Sequence, residues 1–154
     1  MNSKIKRIID FSTAFGPSGM EDEVSSLAME DVKDICEVHD DTMRNTYMHF
    51  KQDKEHETTI LLDAHADEVG FIVQAIKPNG TIRFLPLGGW DPKNIVSGEV
   101  WILNDKGEKI SGIVASQPVH FLSEEKRNGK VDFDDLVIDV GATSVQEVKE
   151  EFHI

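Results

Sequence analysis

The sequence predicts an α/β domain joined to an antiparallel all-β module. Three observations predict it. Two helical patterns and three extended patterns follow one another up to Gly70. The third extended pattern is a β-branched apolar run that leads into a histidine and an aspartate. Past Gly70 the helical period vanishes for about seventy residues, and short strands alternate with turn residues.

Taken in order, Ile5, Ile8, Ile9 and Phe15 recur at helical spacing and predict an opening amphipathic helix. Gly16-Pro17-Ser18-Gly19 breaks it. Ser18 and Glu21 have capping-box spacing, so a second helix is expected to start there, with Val24, Leu27, Ala28 and Val32 as its apolar face. Residues 35–40 and 45–50 read as strands, and 51–57 as a solvated turn. Residues 58–64 then read as a buried central strand, because Thr59-Ile60-Leu61-Leu62 is apolar and rich in β-branching.

The second part predicts strands at 71–76, 81–85, 98–103, 110–115 and 136–140. Pro78-Asn79-Gly80, Gly88-Gly89-Trp90-Asp91-Pro92 and Asn104-Asp105-Lys106-Gly107 supply turns between them. Spacing of this kind predicts a small antiparallel barrel or sandwich. Residues 117–130 are a polar excursion, and Ser144 with Glu147 caps a last helix running through Val148 and Phe152. The chain reaches Ile154 with no glycine C-cap and no polar tail. A β module that follows the apolar strand directly reads as an insertion, with the host domain unfinished.

Composition narrows the function. The chain of 154 residues carries 29 acidic and 16 basic residues, a formal charge of -13. That field repels nucleic acid and anionic membrane surfaces, so neither is an expected partner. The single Cys36 excludes an internal disulfide and fits a reducing compartment. It reads as a small buried strand residue. No secretory leader and no apolar stretch of membrane-spanning length is present, so the cytoplasm is the expected location.

The chemistry concentrates at His65 and Asp67. In extended backbone, residues i and i+2 project to the same side. An imidazole and a carboxylate at the end of a buried strand fit a metal ligand whose ring the carboxylate holds in one tautomer. The other reading is a core histidine bonded to Asp67 or Asp63. With 6 His in 154 residues, a His-x-Asp pair arises by chance roughly 0.6 times, and His39 with Asp41 is read as such an accident. Trp90 and Trp101 read as core or interface anchors, and His120 as an exposed contact.

Several segments together resemble one family. They are Gly16-Pro17-Ser18-Gly19-Met20-Glu21, the run from Leu62 to Phe71, Gly88-Gly89-Trp90, Gly112-Ile113-Val114-Ala115-Ser116 with Pro118 and His120, and Ile138-Asp139-Val140-Gly141-Ala142. In this order they resemble the tetrahedral glutamyl and deblocking aminopeptidases, some of them labelled cellulase M or endoglucanase. The resemblance implies a partial α/β zinc-exopeptidase-like domain over residues 1–70. It implies an inserted PDZ-like β module over 71–154, with the presence of its last strand left open. It places His65 at a metal-ligand position and Asp67 at the catalytic carboxylate that orients it. It also implies two divalent ions, zinc or cobalt, peptide substrates, and assembly into a homo-oligomer.

Two departures accompany it. The family's bridging Asp, paired Glu residues, further acidic ligand and second His follow the β module, and no counterparts are recognised here. The chain therefore reads as an amino-terminal portion of such an enzyme, without tight metal binding or turnover of its own. Arg44 stands where the family usually has Gly in an Asp-x-x-Gly-Asn turn, so the local turn is expected to differ. A non-catalytic assembly module is the competing reading. A third, glucan hydrolysis, rests on the label alone.

Overall fold

The computed structural model describes residues 3–51, 58, 60–124, 127 and 129–154. Of the solvated turn expected at 51–57, residues 52–57 lie outside them. The chain divides into two compact units, Met1–Glu68 and Val69–Ile154.

In the first unit, α1 (Ser3–Thr13) and α2 (Asp22–Val32) precede an antiparallel hairpin of β1 (Cys36–Asp40) and β2 (Thr46–Phe50). Val24, Leu27, Ala28 and Val32 of α2 are half-buried, as the helical spacing requires, and Cys36 is buried at the start of β1. The hairpin turn survives its arginine. Arg44 takes φ 66°, a conformation costly for residues other than Gly. Its Nη1 lies 2.6 Å from the Asp22 carboxylate at the start of α2, which ties the turn to the helix. Asp41 closes the turn, accepting from the backbone N–H groups of Met43 at 2.8 Å and Asn45 at 3.0 Å. The turn thus closes between Asp41 and Asn45 with an arginine at the positive-φ position.

The capping box expected at Ser18 is absent. Glu21 sits at the N-cap of α2 and makes no side-chain cap bond. Its Oε1 accepts from the Gly19 N–H at 2.6 Å, and the Ser18 hydroxyl is engaged elsewhere.

The central strand expected at 58–64 is not formed. Among the described residues, no strand is assigned between Phe50 and Gly70. Ile60, Leu61 and Leu62 are 82%, 84% and 90% exposed. The reason is a lack of neighbours. A strand apolar on successive residues needs paired edges and cover on both faces. The other strands of this unit, β1 and β2, pair with each other.

The second unit is one five-stranded antiparallel sheet in the order β3-β4-β7-β6-β5. Its strands are β3 (Gly70–Ile76), β4 (Ile82–Leu87), β5 (Glu99–Leu103), β6 (Lys109–Ser116) and β7 (Leu136–Asp139). Of the two shapes expected, the single sheet excludes a two-sheet sandwich. Register aligns Ile82 with Ile138 and Ile138 with Val114, so one apolar row crosses the three central strands. These residues are 0%, 2% and 0% exposed. Phe71 stacks on Trp90 at 4.8 Å and meets Phe84 edge-on at 4.8 Å over the same core. The Trp90 indole N–H donates to the Gly70 carbonyl at 3.0 Å, fixing the ring as a core anchor. Trp101 instead is 55% exposed on β5, and His120 is exposed.

The last helix, α3 (Val145–Glu150), is capped as expected. The Ser144 hydroxyl accepts from the Glu147 N–H at 3.2 Å. The Glu147 carboxylate accepts from the backbone N–H of Thr143 at 2.7 Å and from its hydroxyl at 2.9 Å. Those two bonds, the backbone one foremost, hold the Glu147 carboxyl below the usual glutamate range. Its stabilising contribution is therefore full above the ordinary glutamate value and is lost as pH falls through the lowered folded value. Acid titration of thermal stability is expected to show a steeper loss in that window for the native chain than for Glu147→Gln. Identical slopes would contradict the cap.

The chain's end is tied into the same core. Phe152 and Ile154 pack against it. The buried Asn104 donates from Nδ2 to the Phe152 carbonyl at 3.0 Å, and the Asp105 N–H donates to the His153 carbonyl at 3.0 Å.

Candidate metal-ligand site

The break after α1 and the segment following Leu62 meet within the first unit. Pro17 and Glu68 form an isolated parallel bridge. The Glu68 N–H donates to the Gly16 carbonyl at 2.8 Å, and the Gly16 N–H donates to the Glu68 carboxylate at 3.2 Å. Gly16 is buried at this crossing, where an added Cβ would fall 2.6 Å from a Val24 methyl. A glycine is thus required by close approach of α2 to the loop.

This clip places Ser18 against Asp67. The Ser18 hydroxyl donates to Oδ2 of Asp67. On the other side, Nδ1 of His65 lies 3.1 Å from Oδ1 of Asp67 and 2.8 Å from its backbone carbonyl oxygen. Ser18, Asp67 and His65 form one chain of hydrogen bonds. The Ser18 hydroxyl first, and the His65 ring after it, hold the Asp67 carboxyl below the usual aspartate range. Asp67 is therefore an ionised acceptor at neutral pH.

The tautomer follows from the partners. Both groups facing Nδ1 are acceptors, so in the neutral ring Nδ1 carries the proton. Nε2 then holds a lone pair, and it has no partner among the described residues. A metal-ligating histidine has this arrangement: one nitrogen pinned by a carboxylate or carbonyl, the other open. The expected ring–carboxylate contact is present. The expected burial is not, since the His65 side chain is 85% exposed. The missing cover has the same origin as the missing strand, because the apolar run that should carry His65 into a sheet has no sheet around it.

His65 and Asp67 form a pair and not a cage. Among the described residues, no group of three or more His, Cys, Asp or Glu side chains is placed to hold a metal ion. A catalytic zinc takes three protein ligands and a water. His65 fits one of those positions, and Asp67 fits the carboxylate behind it. Glu68 is occupied by Gly16. His39 and Asp41 do not meet as a pair: His39 stacks on Tyr47 at 4.8 Å, while Asp41 accepts from the Asn45 amide at 2.9 Å. Sequence reasoning missed Ser18 and Glu68 as parts of the site. The available signal was the four-residue break itself, whose small residues let two loops touch.

Comparison with known proteins places the chain in a family. The family model of M42 glutamyl aminopeptidases matches residues 45–152. A lysyl aminopeptidase of Pyrococcus furiosus is 33% identical over 149 residues, covering 95% of this chain and 41% of the relative. The solved TET aminopeptidase of a marine-sediment Thaumarchaeota archaeon superposes with a TM-score of 0.90 at 34% identity, covering 97% of this chain and 42% of that one. The TET1 peptidase of Pyrococcus horikoshii, which assembles into a tetrahedron or a large octahedral shell, gives 0.82 at 30% identity over 96% of this chain and 43% of its own. The chain thus spans about two fifths of the length of the relatives it matches. With a family model aligned across most of its length, the chain belongs to the M42 glutamyl aminopeptidase family.

Proposed function

We propose that this chain is the amino-terminal portion of a metal-dependent aminopeptidase that removes residues from the amino terminus of peptides, and that it supplies one metal ligand, His65, through Nε2. The observation that carries the reading is the pair of acceptors on Nδ1, which leaves Nε2 as the open donor. Asp67 orients the ring and raises its basicity, and Ser18 fixes the carboxylate. Two divalent ions, zinc or cobalt, would polarise the peptide carbonyl and lower the pKa of the attacking water. His65 would hold one of them, while the other ligands and the base lie in parts of the enzyme that these residues do not provide. On this reading residues 1–70 belong to the peptidase domain. Residues 71–154 form a PDZ-like module that supports homo-oligomers of the kind the TET relatives build, in the cytoplasm. No helix among the described residues is long and apolar enough to cross a membrane.

Glucan hydrolysis finds no support in the site. It needs two carboxyl groups free to flank one sugar bond. Asp67 is held by Ser18 and His65, and Glu68 by Gly16.

Purified chain is expected to release no amino-terminal residues from peptides, with zinc or cobalt added. The positive arm is a chimera in which this chain replaces the matching two fifths of the Pyrococcus furiosus lysyl aminopeptidase. It is expected to turn over peptide in a metal-dependent way, with His65→Ala reducing it to background and Asp67→Ala lowering it about 10–100-fold. A chimera that folds, binds metal and is indifferent to His65→Ala would overturn the assignment.

A further inference from the structure

The start of α2 carries consecutive carboxylates, Glu21, Asp22 and Glu23, and the break before the helix hangs from two of them. The Phe15 N–H donates to the Glu23 carboxylate at 3.1 Å, and the Gly19 N–H donates to Glu21 Oε1 at 2.6 Å. Between those points lie Gly16, clipped to Glu68, and Ser18, which donates to Asp67. The placement of the first turn of α2 therefore decides how Ser18 meets Asp67. Asp67 in turn holds Nδ1 of His65.

Acidic residues suit a helix start, but neighbouring carboxylates repel one another, and one of these is poorly solvated. The Glu21 side chain is 15% exposed, and its Oε2 is buried with no hydrogen-bond partner among the described residues. A buried carboxylate oxygen needs a counter-charge. Arg44 supplies it: Nε stands 3.9 Å from Glu21 Oε2, while Nη1 meets Asp22 at 2.6 Å. Arg44 reaches both from the tip of the β1–β2 hairpin, at a φ of 66° that glycine would adopt without steric cost. The turn closes without the arginine side chain, because Asp41 accepts from the N–H groups of Met43 and Asn45. The partners of that side chain are on the helix.

Resting on the metal-ligand reading of His65, we propose that Arg44 is a positioning residue: by pairing with Glu21 and Asp22 it fastens the start of α2 to the hairpin, holds the 16–19 break against Asp67, and so sets the orientation of the His65 imidazole. The order of action runs from Arg44 to Glu21 and Asp22, through Gly19 and Ser18 to Asp67, and from Asp67 to His65. The side chains of Arg44 and Asp22 are 43% and 74% exposed, so the effect is graded. Arg44 shifts the fraction of time for which Ser18 is seated on Asp67, and it does not decide whether the unit folds. The Gly16–Glu68 bonds act in parallel with it.

Amide hydrogen exchange and zinc titration of the full chain, both followed by nuclear magnetic resonance, test this with Arg44→Gly. The variant gives the turn the residue its φ favours and removes the clamp, so the two roles move in opposite directions. The N–H groups of Gly19 and Glu68, which bond to Glu21 and Gly16, are expected to exchange about two- to fivefold faster, the range that an ion pair of this exposure supports. The Asn45 N–H, bonded to Asp41 inside the turn, is expected to keep its protection or gain some. Zinc affinity at His65 is expected to fall by the same factor. Arg44→Lys, which retains the charge, is expected to restore most of both effects. Asp22→Asn, which leaves the turn untouched, is expected to reproduce them. Unchanged exchange at Gly19 and Glu68 overturns the proposal, as does equal acceleration at Asn45, which would mean that the whole unit loosens. Faster exchange with the zinc affinity of His65 unchanged overturns the link to the imidazole. Faster exchange in a chain whose zinc shows no preference for His65 leaves Arg44 holding Ser18 on Asp67 and counts against the ligand reading instead.

Discussion

Ile82→Ala is expected to lower the unfolding free energy of the β unit by about 2–5 kcal/mol, read from urea unfolding of the chain. Ile82 has no exposed surface and sits in the row Ile82–Ile138–Val114 that links β4, β7 and β6. Its paired neighbour Ile138, itself paired with Val114, is fixed in ladder register, so the surroundings cannot collapse into the space left behind. Because small domains have only about 5–15 kcal/mol of stability, the variant is expected to unfold at markedly lower urea. The exposed Ile113→Ala on β6 serves as comparison and is expected to change stability within about 0.5 kcal/mol. Equal effects at the two sites would mean that the buried row is not the core of this unit.

Gly80→Ala is the second large effect. Gly80 has φ 82°, and a Cβ there would lie 2.5 Å from the Ala142 carbonyl oxygen and 2.8 Å from the Ser144 nitrogen. The conformational part costs about 1–3 kcal/mol. The clash adds to it, because it is with backbone at the capped start of α3, which Ser144 and Glu147 hold. Gly107 separates the two terms: its φ is 76°, with nothing within 4 Å of an added Cβ. Gly80→Ala is therefore expected to depress the melting temperature further than Gly107→Ala. Equal shifts would show that the 142–144 segment yields to the methyl group.

The β unit was legible because each of its strands announces itself locally. All five expected strands form, with no end displaced by more than two residues. Alternation marks Ile82, Phe84, Val114, Leu136 and Ile138 as inward, and Gly-rich or Asn-rich turns separate the runs. The helix at 145–150 was legible for the same reason, since its capping residues lie within four positions of each other. The segment 58–64 misled because an apolar run reports the surroundings a strand requires, not whether they are present. Ile60 to Leu62 carry the composition of a sheet interior and stand in water.

At the site, the i, i+2 spacing was enough to bring His65 onto Asp67. It could not reveal Ser18, whose partner lies 49 residues away. Ser18 and Glu21 matched a local pattern for capping, and the long-range bond to an ionised carboxylate prevailed over it. Charge-assisted bonds are about twice as strong as neutral ones. Arg44 shows the same competition. A positive φ disfavours arginine, yet ion pairing to Asp22 accompanies the turn, and Arg44 in turn holds the Asp22 carboxyl below its usual range.

The central claim is that His65 offers Nε2 to a metal while Asp67 holds Nδ1. Zinc titration of the purified chain, followed by long-range proton–nitrogen spectra of its histidines, tests it most directly. The account predicts that Nδ1 of His65 is the protonated nitrogen in the metal-free neutral ring. It predicts that zinc perturbs Nε2 of His65 ahead of the rings of His39, His49, His120 and His153, and that Asp67→Ala removes this preference. A metal-free His65 protonated at Nε2, or zinc bound first at another histidine, would contradict it.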